Sequence, residues 1–325
     1  MSEPWQILCP PEMDPAGPAS ITDFATSTGI NEYDSTEAAL DDIDQYDGVI
    51  VRLAELDREV IERADRLKVI AKHGTGLDNV DIEAASEHGI VVCNTPGVNA
   101  RSVAEHTIAL LFGVERNLHT ADRHVRSGGW ERGAHTGAEL QSLTLGLMGY
   151  GSIAKAVAGI ARGIGLDIIT YDPHRDPNAV PDGVDRVTTF LELFERADAV
   201  SLHVPLTDET HNAVSTEQLE ALGEHGVLIN TARGGIVDET ALVEALETDT
   251  IRGAGLDNFE QEPPRKDHPL FDQDNVLLTP HIGGVTRDAL ARMSRGAAEN
   301  IRTVYDGGLP ESTVNREALE TETTQ

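Results

Sequence analysis

TLGLMGYGSIA, residues 144–154, is an apolar run that breaks on Gly149-Tyr150-Gly151-Ser152-Ile153-Ala154 and then enters a helical pattern. A run this uniformly apolar suits a parallel strand covered on both faces. The pattern G-x-G-x-x-A between strand and helix has a physical logic. Gly149 permits a tight turn, Gly151 lets the backbone approach a pyrophosphate, and Ala154 is small enough for helix–strand packing. The helix start, from Ser152 and Ile153, offers free N–H groups and partial positive charge to that phosphate. The next apolar run, LDIITYD, ends in Asp172, 21 residues after Gly151. A carboxylate there accepts the ribose hydroxyls of an adenosine. It would repel a 2′-phosphate by about 1–4 kcal/mol, depending on effective dielectric. The expected cofactor is therefore NAD rather than NADP; Arg175, close behind, reads first as a solvated surface arginine and second as a residue that could soften the preference.

On both sides of this motif, short apolar runs alternate with amphipathic stretches. Strands are expected at Trp5–Cys9, Gly48–Val51, Lys68–Lys72, Ile90–Cys93, Thr144–Met148, Asp167–Tyr171, Ala199–His203, Val227–Asn230, Gly253–Asp257 and Val276–Thr279. Helices are expected at Asp57–Ala64, Ser152–Arg162, Glu239–Leu246 and Thr286–Tyr305. Such alternation argues an α/β protein built on mainly parallel sheets. It is interrupted once, by Ser102–Arg126, which reads as one long helix closed by Ser127-Gly128-Gly129. Placing a boundary near Asn99 and a return near Gly284 makes the middle of the chain an inserted domain. The expected organisation is one domain of residues 1–99 and 285–325, and another of residues 100–284. The polar tail after Leu309 is expected to fray.

Composition narrows the function classes. Of 325 residues, 56 are acidic and 25 basic, a formal charge of −31. Only Lys68, Lys72, Lys155 and Lys266 are lysines. Nucleic acid and anionic membrane surfaces are disfavoured as partners, because a basic face is what displaces phosphate counterions. High acid content with scarce lysine reads as adaptation to strong salt, which screens the self-repulsion. Cys9 and Cys93 sit in or beside apolar strands and read as buried thiols. The start MSEPWQILCP shows no basic or apolar leader, and no apolar run approaches the roughly 18 residues that span a bilayer. The expected location is the cytoplasm. The histidines form no metal-ligand spacing, so no metal is expected, and His106 on the long helix reads as interface or core.

Three later strands each end on polar residues. VLIN leads into Thr231-Ala232-Arg233-Gly234-Gly235, GAGLD into Asn258-Phe259-Glu260-Gln261-Glu262, and NVLLT into Pro280-His281-Ile282-Gly283-Gly284. Ligands of open α/β sheets bind outside the carboxyl ends of the strands, so one crevice could hold Arg233, Glu262 and His281. Reduction of a 2-oxo acid needs a cation for the carboxylate, a proton donor for the ketone oxygen and a hydride donor. Arg, His and NADH meet those needs, and a carboxylate behind the imidazole would orient it. Singly, each residue has a plainer reading: a surface arginine, a solvated loop glutamate, a helix-capping histidine, and for Asp257 a turn residue.

Together the segments KHGTGLDNVD, NTPGVNARSVAEHTIALL, LGLMGYGSIAKAVA, LHVPLTDETH, INTARGGIVDE, GLDNFEQEP and LTPHIGG resemble the D-isomer-specific 2-hydroxyacid dehydrogenases, in order, from about residue 48 to residue 305. The resemblance implies two Rossmann-like doubly wound domains, the NAD-binding one inserted in a flavodoxin-like substrate domain. It implies substrate-carboxylate binding by Arg233, support of the histidine by Glu262, and acid/base work by His281. It implies that Asp257 holds the nicotinamide carboxamide and that the Gly74, Thr75 and Gly76 amides receive the substrate carboxylate. Further cofactor contacts are implied at Val103, Tyr150, His203, Val204, Pro205, Thr231, Ala232, His281 and Gly283. Ala154 stands where the family usually has a third glycine, a mild departure.

The substrate stays open, since phosphoglycerate, hydroxypyruvate, glyoxylate and lactate branches share these motifs. Arg52 and Lys72 resemble basic positions that hold phosphate in D-3-phosphoglycerate dehydrogenases, their plainer reading being strand-end surface charges. The length leaves no room for the C-terminal regulatory domain of many long serine-pathway enzymes, so serine feedback through one is not expected. Family members pair through the region of Ser102–Arg126, so a homodimer is expected. An alternative of another class is an NAD-sensing co-repressor of the same fold, which binds peptides and would turn over little substrate.

Overall fold

A computed structural model describes residues 3–11, 13–176 and 180–322. The chain divides into two compact units, Met1–Asn99 with Val285–Gln325, and Ala100–Gly284. From the N-terminus it runs β1 (Trp5–Cys9), α1 (Ala16–Ala19), β2 (Ala25–Gly29), α2 (Thr36–Asp41), β3 (Gly48–Val51), α3 (Arg58–Glu62), β4 (Val69–Lys72), α4 (Ile82–Glu87) and β5 (Val91–Cys93). The second unit follows with α5 (Ala100–Glu115), α6 (Leu118–Arg126), β6 (Thr144–Met148), α7 (Ser152–Gly163), β7 (Asp167–Tyr171), β8 (Asp185–Arg186), α8 (Phe190–Arg196) and β9 (Ala199–Leu202). It continues through α9 (Thr216–Leu222), β10 (Val227–Asn230), α10 (Glu239–Glu247), β11 (Gly253–Leu256) and β12 (Val276–Leu278), and the chain returns to the first unit as α11 (Arg287–Tyr305) and α12 (Arg316–Glu322).

Each unit is one sheet with helices on both faces. The first has strand order β2-β1-β3-β4-β5 and the second β12-β11-β10-β9-β6-β7-β8, with every strand pair parallel. These are the flavodoxin-like and dinucleotide-binding windings, so the expected fold class holds. The apolar runs explain the layering: β3, β4, β9, β10 and β11 are buried at every position. Polar residues set the helix starts. Asp57, Asp81, Asp238 and Thr286 accept the backbone N–H groups of Val60, Ala84, Ala241 and Ala289 at 2.8–3.2 Å, and a cap of this kind contributes about 1 kcal/mol. Thr286, not His281, caps the last long helix.

Three expectations need correction. Ser102–Arg126 is two helices, because the chain turns through Asn117 at φ +50°; asparagine tolerates this left-handed conformation better than most residues. The tail does not fray at Leu309. Thr313 bridges Cys93, and the buried Asn315 side chain accepts from Val92 N at 3.0 Å and donates to Ile90 O at 2.8 Å, extending the edge of the first sheet. Two strands had no apolar signature: β2, ATSTG, is an edge strand of small residues, and β8 is two residues long. Among the described residues, no helix is long and apolar enough to cross a membrane, and no cluster of three His, Cys, Asp or Glu could hold a metal ion.

Candidate active site

The second sheet reverses its winding between β6 and β9, and the glycine turn lies there. Gly149 has φ +86°, and a Cβ on it would fall 2.8 Å from His203 O and 2.9 Å from Val204 Cγ1. Only glycine lets the two loops close to this distance. Ala154 is fully buried on α7, so the third small residue of the motif serves packing, and alanine suffices. Gly151 caps α7 without a side-chain bond, unlike the Asp- and Thr-capped helices, and open space surrounds its Cβ position. Asp172 Oδ2 accepts Tyr150 N at 2.9 Å and Oδ1 accepts His174 N at 3.1 Å, while Arg175 Nε stands 3.6 Å away. A bare helix start, an uncrowded glycine and a strand-end carboxylate fit a dinucleotide, with Tyr150, Ser152 and Ile153 around its phosphates. Desolvation pushes the pKa of His203 well down, and its Nε2 lies 3.0 Å from Ser201 Oγ.

The polar strand ends of the same sheet meet beside it. The Asn230 side chain donates to Arg233 O at 2.8 Å and accepts Ala232 N at 3.0 Å, which shapes the turn bearing Arg233. A Cβ on Gly234 would fall 1.9 Å from the Phe259 carbonyl carbon, so that turn packs directly on the loop bearing Glu262. Glu239 steadies the loop from behind, accepting Glu260 N at 2.7 Å and pairing with His268 at 2.9 Å. Glu262 Oε2 then meets His281 Nδ1 at 2.7 Å, and Oε1 accepts Phe259 N at 3.2 Å. Partial burial pushes the Glu262 carboxyl up. The His281 hydrogen bond and charge, the Phe259 amide and the Arg233 guanidinium outweigh that and leave it below the usual glutamate range. The structure therefore gathers Arg233, Glu262 and His281 as their strand-end positions suggested.

Asp257 sits under this group, 2% exposed. Its Oδ1 accepts the Thr279 hydroxyl at 2.6 Å and Ile282 N at 2.8 Å, and its Oδ2 accepts Gly283 N at 2.6 Å. Burial pushes this carboxyl up, but His106, Thr279 and the two amides more than compensate and hold it below the usual aspartate range. Helix α5 faces the strand ends with Val103, His106 and Thr107: Thr107 Oγ1 bonds Thr231 Oγ1 at 2.9 Å, and His106 Nε2 lies 3.0 Å from Thr279 Oγ1. Sequence reasoning placed Val103 here and missed His106, Thr107 and Thr279. The i, i+3, i+4 spacing of the three helix residues was the available signal.

The remaining candidates belong to the first unit. Gly74 N donates to Thr95 Oγ1 at 3.1 Å, Thr95 returns the bond to Gly74 O at 3.0 Å, and Asn94 Nδ2 donates to Thr75 O at 2.8 Å, so the Gly74-Thr75-Gly76 turn is held from β5's end. Arg52 follows β3 directly. Lys72 is buried, and its ammonium donates to Arg52 O at 2.7 Å and to Asn79. Lys72 thus shapes the loop that carries Arg52.

Residues 108–283 match the family model described as "D-isomer specific 2-hydroxyacid dehydrogenase, NAD binding domain". A D-3-phosphoglycerate dehydrogenase of Methanocaldococcus jannaschii is 41% identical over 298 residues, covering 91% of this chain and 56% of that protein. A glyoxylate reductase of Thermococcus litoralis is 39% identical over 288 residues, covering 86% and 87%. The chain thus spans about half the length of such phosphoglycerate dehydrogenases and most of such glyoxylate reductases. The NADPH-dependent glyoxylate/hydroxypyruvate reductase of Sinorhizobium meliloti, solved with NADP and malonate, superposes with a TM-score of 0.83 at 32% identity, covering 96% of this chain and 97% of that one. These similarities establish that the chain belongs to the D-isomer-specific 2-hydroxyacid dehydrogenase family.

Proposed function

We propose that this chain is an NAD-dependent oxidoreductase of D-2-hydroxy acids and 2-oxo acids. Residues 100–284 would form its dinucleotide domain, and residues 1–99 with 285–325 its substrate domain. The observation that carries the reading is the 2.7 Å His281–Glu262 pair, on the sheet whose switch point holds Gly149. The nicotinamide cofactor, when bound, supplies or takes up the hydride. Arg233 and the Gly74, Thr75 and Gly76 amides hold the substrate carboxylate. His281 has Nδ1 engaged by Glu262, so Nε2 is the nitrogen that donates a proton to the ketone oxygen, or recovers it in the reverse direction. Gly149, Tyr150, Gly151, Ser152 and Ile153 cradle the pyrophosphate. Asp172 takes the ribose hydroxyls and favours NAD, and Val103, His203, Val204, Pro205, Thr231, Ala232, Asp257 and Gly283 line the rest.

Lys72 is engaged inside its own loop, so Arg52 is the stronger candidate to meet a substrate phosphate. Hydroxypyruvate, glyoxylate and phosphohydroxypyruvate are all candidate substrates. The test is NADH oxidation at molar salt against hydroxypyruvate, glyoxylate, pyruvate and phosphohydroxypyruvate, with NADPH in parallel. His281→Ala should lose roughly 10²–10⁴-fold in kcat with NADH binding kept, and Arg233→Ala should raise KM as well. Absence of turnover on every acid would overturn the reading and favour a peptide-binding role. A homodimer is also proposed. The apolar face of α5 is buried in its own unit, whereas Leu118, Val125 and Trp130 on and beyond α6 are 52–72% exposed. A single-chain mass by light scattering in strong salt would refute it.

A further inference from the structure

We propose that His106 is a positioning residue for His281, acting from α5 through Thr279 and Asp257; the inference rests on the dehydrogenase reading above. The order of donors carries it. The Thr279 hydroxyl gives its proton to Asp257 Oδ1 at 2.6 Å, so the Thr279 oxygen is an acceptor for His106 Nε2 at 3.0 Å. That nitrogen also stands 3.2 Å from Asp257 Oδ1. This geometry assigns the His106 proton to Nε2 and converges two side-chain donors on one buried carboxylate.

The other donors to that carboxylate are backbone groups, Ile282 N at 2.8 Å and Gly283 N at 2.6 Å. They directly follow His281, whose φ is +52°. A non-glycine residue keeps such a conformation only where its surroundings over-determine it. Here Asp257 and what orients it are part of those surroundings, beside the Glu262 bond to His281 Nδ1 at 2.7 Å and the bond from His281 N to Thr279 O at 3.1 Å. The packing agrees: a Cβ on Gly283 would fall 2.9 Å from Asp257 Oδ2, 3.5 Å from His106 Cδ2 and 3.7 Å from Val103 Cγ1, so the turn lies against the α5 face itself. His106 thus joins the helix to the turn through this carboxylate by a polar contact, among apolar neighbours such as Val103, Leu110 and Leu111 that pack and do not direct. If its role were packing alone, leucine would serve equally.

That contrast is the test. His106→Leu fills the space and removes the donor, while His106→Gln keeps an N–H near the Nε2 position. The first readout needs no turnover. Amide exchange in the full chain should accelerate by tenfold or more across Ile282 and Gly283 in His106→Leu, should return close to the wild-type rate in His106→Gln, and should stay unchanged in β6. The second readout is kinetic. A displacement near 1 Å costs on the order of 10²-fold, so kcat should fall about 10–100-fold in His106→Leu with KM for the 2-oxo acid little changed, and His106→Gln should recover most of the loss. Unchanged exchange in His106→Leu, or a glutamine variant as loose as the leucine variant, overturns the proposal. So does an unaltered kcat where the wild type is active. A wild type inactive on every 2-oxo acid defeats the dehydrogenase reading instead, and the exchange measurement then decides the positioning role alone.

Discussion

Glu262→Gln preserves the shape of the side chain and removes one acceptor, and the site reads that loss. Oε1 now accepts Phe259 N at 3.2 Å and Oε2 accepts His281 Nδ1 at 2.7 Å. Glutamine has one carbonyl oxygen, so its NH2 must face either the Phe259 amide, which makes a donor–donor contact, or His281, whose Nδ1 must then give up its proton and accept. A hydrogen bond to a charged group contributes about 1.5–3 kcal/mol. With the two side chains 47% and 39% exposed, solvent screening argues for the lower end. At about 1.4 kcal/mol per decade, kcat/KM should fall roughly tenfold, with NADH affinity unchanged by fluorescence titration. The sign with pH follows from the Glu262 carboxyl lying below its usual range. The ionised pair is intact above that range and fails as the pH drops through the lowered value. The wild-type advantage should hold across neutral pH and narrow only on the acid side. Initial rates of NADH oxidation on hydroxypyruvate between pH 4 and 9 measure it. Equal kcat/KM within twofold at pH 7, or an advantage that widens toward acid, would show that Glu262 does not orient His281.

Gly149→Ala forces a side chain into φ +86° and to within 2.8 Å of His203 O. The backbone term alone costs about 1–2 kcal/mol, so NADH affinity should drop at least tenfold, and undiminished NADH binding would dismiss the cradle. Asp172→Ser should narrow the NADH-over-NADPH preference by tenfold or more; a ratio of kcat/KM values that does not move would remove Asp172 from cofactor selection. Burial pushes Cys9 up to about 11 and Cys93 up to about 12, so the thiolate fraction at pH 8.5 is very small. Iodoacetamide should label neither in the native chain and both in denaturant, and rapid native labelling would contradict that burial. At a charge of −31, the melting temperature should fall as salt is lowered from molar to millimolar, because the Debye length grows from about 3 Å at 1 M to about 30 Å at 0.01 M. A flat series would leave the acidic surface a solubility device only.

How much of this could be read from residues alone depended on what each position must satisfy locally. Strands buried on both faces have to be apolar throughout, and TLGLM, VLIN and GAGL lie where their composition says, to within a residue. Edge strands carry no such demand. ATSTG pairs with β1 through backbone groups while most of its side chains stay partly exposed, so hydrophobicity could not reveal it. The break at Asn117 was hidden for a related reason. The pattern on Ser102–Val114 is apolar, that on Leu118–Arg126 is polar with a few apolar residues, and one left-handed asparagine between them leaves no trace in periodicity.

The site follows the same rule at a higher level. Arg233, Glu262 and His281 each come just after a strand, and a parallel sheet brings all such ends to one edge, so topology alone predicts their company. His106 and Thr107 sit mid-helix, where their residue types suit core, interface or surface equally well. What distinguishes them is the register between α5 and the ends of β10, β11 and β12, which sets Thr107 against Thr231 and His106 against Thr279. That register is a product of helix-on-sheet packing, fixed by the small and apolar residues Ala104, Ile108 and Leu111 pressing into the sheet layer. A polar residue on such a helix acquires its chemical meaning only when the apolar face has already chosen the rotation. The helix and the strand-end turns therefore form one mechanical unit. A change that rotates α5, even at an apolar position remote from His281, should disturb the turn by the same route as loss of the His106 donor.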